Sequence, residues 1–111
     1  MMGARRWAPT DKTGGPLDAV LDGLHSKFQP LVVERLVMPH PADDDNVYWL
    51  TIGPPPRFHG SETVQVDCRE GGGTPFLLEG DRTAGEFIET DDPAVALAAL
   101  DAWLQRRSVL T

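Results

Sequence analysis

Two segments near the ends of the chain carry apolar residues at helical spacing, and the stretches between them read as strands. Leu17, Val20, Leu21, Leu24 and Phe28 recur every three or four residues, the stripe of an amphipathic helix. Ala96, Leu97, Leu100, Trp103 and Leu104 do the same near the C-terminus. Each helix has one apolar face, so each has one surface to cover. The simplest solution lays both helices across the same face of a single sheet.

The helix ends carry their own signals. Pro16 suits a first turn, Asp18 and Asp22 lie toward the positive end of the dipole, Lys27 lies toward the negative end, and Pro30 stops the segment. Gly23 costs about 1 kcal/mol against alanine, but it permits a close approach by a neighbour. In the second helix Asp91 or Asp92 serves as N-cap, Pro93 takes the first helical position, and Arg106 and Arg107 meet the negative end of the dipole.

Between the helices, "LVVERLVM" and "NVYWLTIG" are strand-like without clean alternation, as expected for strands inside a sheet. "ETVQVDCRE" alternates cleanly, with Val64, Val66 and Cys68 inward and Thr63, Gln65, Asp67 and Arg69 outward. "PFLLE" and "GEFIET" are shorter strands joined by "GDRTAG". Short links between consecutive strands favour an antiparallel meander. The expected architecture is a single α+β domain over residues 16–107: an N-terminal helix, a four- to five-stranded antiparallel meander sheet, and a C-terminal helix, both helices on one sheet face. Residues 1–15, ending in "TGGP", read as a flexible arm, and residues 108–111 as a tail. Tyr48 and Trp49 point to opposite faces, and the pattern leaves open which of them enters the core.

At 111 residues the chain suits one domain. Its charge is uneven. Residues 1–39 hold five basic and four acidic side chains, residues 40–101 hold three and thirteen, and two arginines follow. An acidic middle repels phosphate backbones, so nucleic acid is an unfavourable partner, whereas a basic protein would be steered toward it. No apolar run is long enough to span a bilayer, and no apolar segment follows Arg5 and Arg6 as in a secretory signal, so neither a membrane partner nor export is expected. The lone Cys68 fits a reducing, cytoplasmic compartment. Eight arginines against two lysines suggest coding by a GC-rich bacterial genome.

Overt chemistry is sparse. The run "EGGGTP" follows a strand, as a phosphate loop would, but no helix follows and no lysine is placed to reach a phosphate. It reads as a hairpin connection with one or more glycines at positive φ. Cys68 falls in register with buried valines, and nothing brings His25, His40 or His59 to its sulfur. "HPADDDN" lacks the glycine and glutamate of a calcium loop, so no metal or other cofactor is assigned. "GPPPRFHG" reads as a stiff connection between strands.

The helix, antiparallel sheet, helix order, the small size and the acidity resemble, in organisation alone, some bacterial immunity proteins, which neutralise a toxin by covering its active site. The resemblance supplies no motif residues. The expected role is a small acidic, non-enzymatic protein-binding module, of immunity or adaptor type, taking a basic protein partner through Trp49, Asp67, Glu70, Glu79 and Asp81. One alternative is a small-molecule binder or enzyme with a pocket between sheet and helices lined by Tyr48, Cys68 and Trp103. Another is a homodimer joined through the open sheet face.

Overall fold

The computed structural model describes residues 3–7, 13–28, 31–37, 46–52 and 63–109, some of them, including 3–7 and 70, by backbone alone. Helix α1 runs Leu17–Lys27 and helix α2 runs Pro93–Val109. Strands β1 (Gly3–Trp7), β2 (Leu31–Val37), β3 (Asn46–Ile52), β4 (Thr63–Arg69), β5 (Gly73–Glu79) and β6 (Phe87–Thr90) form one antiparallel sheet in sequence order. This is the expected antiparallel α+β meander, with six strands where four or five were expected. The added strand is β1, which comes from the segment expected to be a flexible arm and pairs Gly3 with Val37 through Trp7 with Val33. Its backbone extends the ladder on the outer side of β2, so residues 3–7 form a paired strand and not part of a flexible arm. The stretches "HPAD" to Asp45, with His40, and "GPPPRFHG", with His59, lie outside the described residues.

The alternation of each strand decides which face is covered. Leu31 and Val33 on β2, Tyr48 and Leu50 on β3, Val64, Val66 and Cys68 on β4, and Phe76 and Leu78 on β5 share one face and are all buried. They join the apolar stripes of α1 and α2 in a single core. Full burial of such a side chain contributes about 1.5–3 kcal/mol, so this shared layer dominates the stability. Tyr48 therefore takes the core side and Trp49 the other.

The helices meet each other as closely as they meet the sheet. A Cβ added at Gly23 would come within 2.9 Å of Leu97 Cδ2, so the glycine permits the α1 to α2 approach. Lys27 Nζ reaches Asp101 Oδ2 at 2.8 Å across the same junction. At the start of α2 the carboxylate of Asp92 accepts from Ala94 N at 2.9 Å, which makes Asp92 the N-cap.

The three glycines have a packing role. Glu70–Gly72 form a short 3-10 turn between β4 and β5, with Gly71 and Gly72 at φ 70° and 72°. Gly72 is buried against the entry to α1: a Cβ there would overlap Thr13 Oγ1 and lie 3.2 Å from Leu17 Cβ. Thr13 is held in turn by Asp18, whose Oδ1 accepts from Thr13 N and from Thr13 Oγ1, each at 2.8 Å. On the helix side, a Cβ on Gly15 would collide with Gly71 O and come within 2.9 Å of Gly72 O. The hairpin tip is seated on the N-terminus of α1.

This contact predicts an order of damage. Gly15→Ala should lower stability by about 2 kcal/mol, because backbone oxygens cannot yield to the new methyl. Gly71→Ala, with open space around its Cβ but φ of 70°, should cost about 1 kcal/mol. Urea unfolding of both variants checks this, and a larger loss for Gly71→Ala would contradict the seating of the tip.

Candidate functional site

The sheet face opposite the helices is built from the other half of each strand's alternation. Cross-strand pairing lines up Glu34, Trp49, Gln65, Glu79 and Phe87 in one row from β2 to β6. Val47, Asp67, Leu77 and Glu89 form the adjacent row. On the other side of Trp49, Val32, Thr51 and Thr63 are buried, with the two threonine hydroxyls 3.1 Å apart. Each strand gap is about 4.8 Å, so Trp49 and Phe87 stand about 14 Å apart.

Trp49 is fixed on this face by polar contacts. Its Nε1 donates to Gln65 Oε1 at 3.0 Å, and Gln65 Nε2 donates to Asp67 Oδ1 at 2.9 Å. The relay orients the half-buried indole ring and places a carboxylate beside it. At the β6 end, Phe87 is 45% exposed and carries the guanidinium of Arg82 at 4.4 Å from its ring centroid. Arg82 Nε also pairs with Glu79 Oε2, the cross-strand neighbour of Phe87. Exposed pairs of this kind contribute under about 1 kcal/mol.

Of the residues expected to meet a partner, Trp49, Asp67 and Glu79 share this face. Asp81 does not join them: its carboxylate accepts from Thr83 N at 3.0 Å and Thr83 Oγ1 at 2.6 Å, capping the turn that leads into β6. Those bonds hold its pKa below the ordinary carboxylate value. Glu70 is described by backbone alone, at the hairpin tip. The tip and Glu79 are separated by the length of β5, about 20 Å at 3.3 Å per residue. The acidic residues around the glycines are thus split between opposite ends of the hairpin.

Tyr48, Cys68 and Trp103, expected to line a pocket, are buried at 1%, 2% and 8% exposure within the apolar core. Among the described residues no group of three or more His, Cys, Asp or Glu side chains is placed to hold a metal ion, and no helix is long and apolar enough to cross a membrane. His25 stands on α1, where burial lowers its pKa against the opposing charge of Asp22.

The most strongly built polar cluster lies on the helix side, at Glu86, just before β6. Its side chain is 1% exposed. Arg107 Nη2 donates to Oε1 at 2.6 Å, Arg106 Nη1 to Oε2 at 2.8 Å, and Asp81 N to Oε1 at 2.7 Å. Arg107 Nη1 also donates to Trp103 O at 2.8 Å, so the last turns of α2 are tied to the β5–β6 turn. Burial alone would raise the Glu86 pKa, but the hydrogen bonds from Arg107 and Asp81 and the two guanidinium charges outweigh it. Gly80 leaves room for the cluster, since a Cβ there would overlap Glu86 Oε1. A sequence signal for it exists: Glu86 is in phase with inward-facing Ile88, and an inward carboxylate requires a counter-charge.

Comparison with protein families, with characterised proteins and with solved structures finds no match to this chain.

Because the folded-state pKa of Glu86 is depressed, its contribution is present above the ordinary value of 4.5 and is lost as pH falls through the folded value. Glu86→Gln should cost about 3 kcal/mol at neutral pH, the cost of breaking a buried ion pair. The gap from wild type should shrink as pH drops below 4.5. Urea titrations at a series of pH values measure this, and a gap independent of pH would rule out an ionised, paired Glu86.

Proposed function

We propose that this chain is a small, non-enzymatic protein-binding module of immunity or adaptor type, and that it meets its partner through the sheet face opposite α1 and α2. The observation that carries this reading is Trp49, an aromatic side chain held on that face by the Gln65–Asp67 relay. A ring fixed before binding loses little freedom on association, and buried aromatic anchors dominate interface energies. Carboxylates lie around it: Glu34 is its cross-strand neighbour on β2, and Asp67, Glu79 and Glu89 stand on the same face beyond the Gln65 amide.

A surface of that composition favours a basic protein. Opposite charge accelerates encounter and fixes orientation, while the aromatic anchor slows dissociation. The same charge opposes a second copy of the chain and opposes nucleic acid, since the sequence carries seventeen acidic against ten basic residues. With a single cysteine, the module suits the reducing cytoplasm of a bacterial cell.

The test is capture of the partner from the source organism at low and moderate salt, followed by affinity measurement with Trp49→Ala. Loss of at least tenfold in affinity is expected, as for truncation of an interface hot spot, together with an association rate that falls as salt rises. Full retention of affinity by Trp49→Ala, or an association rate indifferent to salt, would sink the proposal.

A further inference from the structure

We infer that Phe87 and Glu79 form a seat for a guanidinium group, that the chain's own Arg82 occupies this seat in the free protein, and that a partner arginine displaces it on docking. The inference rests on the sheet-face reading above and adds the chemistry of the partner's contact. Glu79 and Phe87 are directly opposed on β5 and β6, so both side chains rise from the same face about 5 Å apart. A planar guanidinium can stack on the ring and donate to the carboxylate at once, which an ammonium cannot do as well. Arg82 does both: it lies 4.4 Å from the Phe87 centroid and its Nε pairs with Glu79.

The occupant is built to leave. The Arg82 side chain is 65% exposed. Its backbone is anchored independently, by Gly85 N donating to Arg82 O at 3.0 Å and by the Asp81 cap on Thr83. The side chain can therefore swing away while the turn stays folded. Its contacts are of the exposed kind that contribute weakly, so exchange with an incoming arginine is nearly even and is decided by the rest of the interface. Glu79 is next to Gln65, which holds Trp49. A partner that covers Trp49 and carries an arginine about 14 Å away, three strand gaps along the row, would engage both points.

The probe is acetylated tetra-arginine, with acetylated tetra-lysine as the control of equal charge, titrated into ¹⁵N-labelled full-length protein. Tetra-arginine is expected to shift the Glu79 and Phe87 amides and to move the Arg82 Nε–H resonance toward its free position. Arg82→Gln vacates the seat and should tighten tetra-arginine binding about threefold, and Phe87→Leu should reduce it to the level of tetra-lysine. Both changes are at exposed positions, and an unchanged thermal midpoint confirms that each variant folds. Unchanged or weaker binding by Arg82→Gln, or equal shifts with tetra-lysine, would overturn the seat. Either result leaves the wider reading to Trp49→Ala: if that variant still loses the captured partner, the face stands without the seat. If it does not while tetra-arginine still displaces Arg82, the seat stands without the face.

Discussion

The rest of the structure depends on the segregation of apolar side chains to one face of a six-stranded meander. Each strand from β2 to β5 contributes two or three buried side chains to one apolar layer on the helix side, and the apolar stripes of the two helices complete that core. No third layer is required by that core. On the opposite face Val32, Thr51 and Thr63 are buried, while the rows beside them carry a tethered tryptophan, an exposed phenylalanine and a series of carboxylates.

Two clamps at opposite ends of the β4 to β6 region hold that face in shape. At one end the glycine turn presses on the start of α1, where Asp18 organises Thr13 and Gly15 admits the Gly71 and Gly72 carbonyls. At the other, Glu86 ties the β5–β6 turn to Arg106 and Arg107 at the end of α2. One clamp is steric and the other ionic, so they respond to different perturbations. The ionic clamp also supports the turn from which Arg82 reaches Phe87, linking the buried charge on the helix side to the surface chemistry on the open side.

Much of this organisation is legible in the sequence because it follows from periodicity. Leu17 to Phe28 and Ala96 to Leu104 mark the helices, Asp92 and Pro93 mark the start of the second, and Val64, Val66 and Cys68 mark an inward face. What is not legible depends on contacts between distant segments. Gly3 to Trp7 has no apolar alternation, and it becomes a strand because β2 offers its outer edge. Tyr48 and Trp49 are both aromatic, so only the register with Val66 and Gln65 assigns one to each face. Glu70, Glu79 and Asp81 are close in sequence, yet the length of β5 separates the first from the others. Glu86 looks like any carboxylate of an acidic chain until Arg107 is seen beside it. Phe87 gains its significance only from Arg82 and Glu79.

Hydroxyl-radical footprinting of the free protein, read residue by residue by mass spectrometry, tests the division of the sheet into a covered and a presented face. Strong labelling of Phe87, intermediate labelling of Trp49, and protection of Tyr48, Phe76 and Trp103 are expected, following their exposures. Labelling of Tyr48 and Trp103 with protection of Trp49 and Phe87 would contradict it, because the face offered to a partner would then be the one assigned to the core.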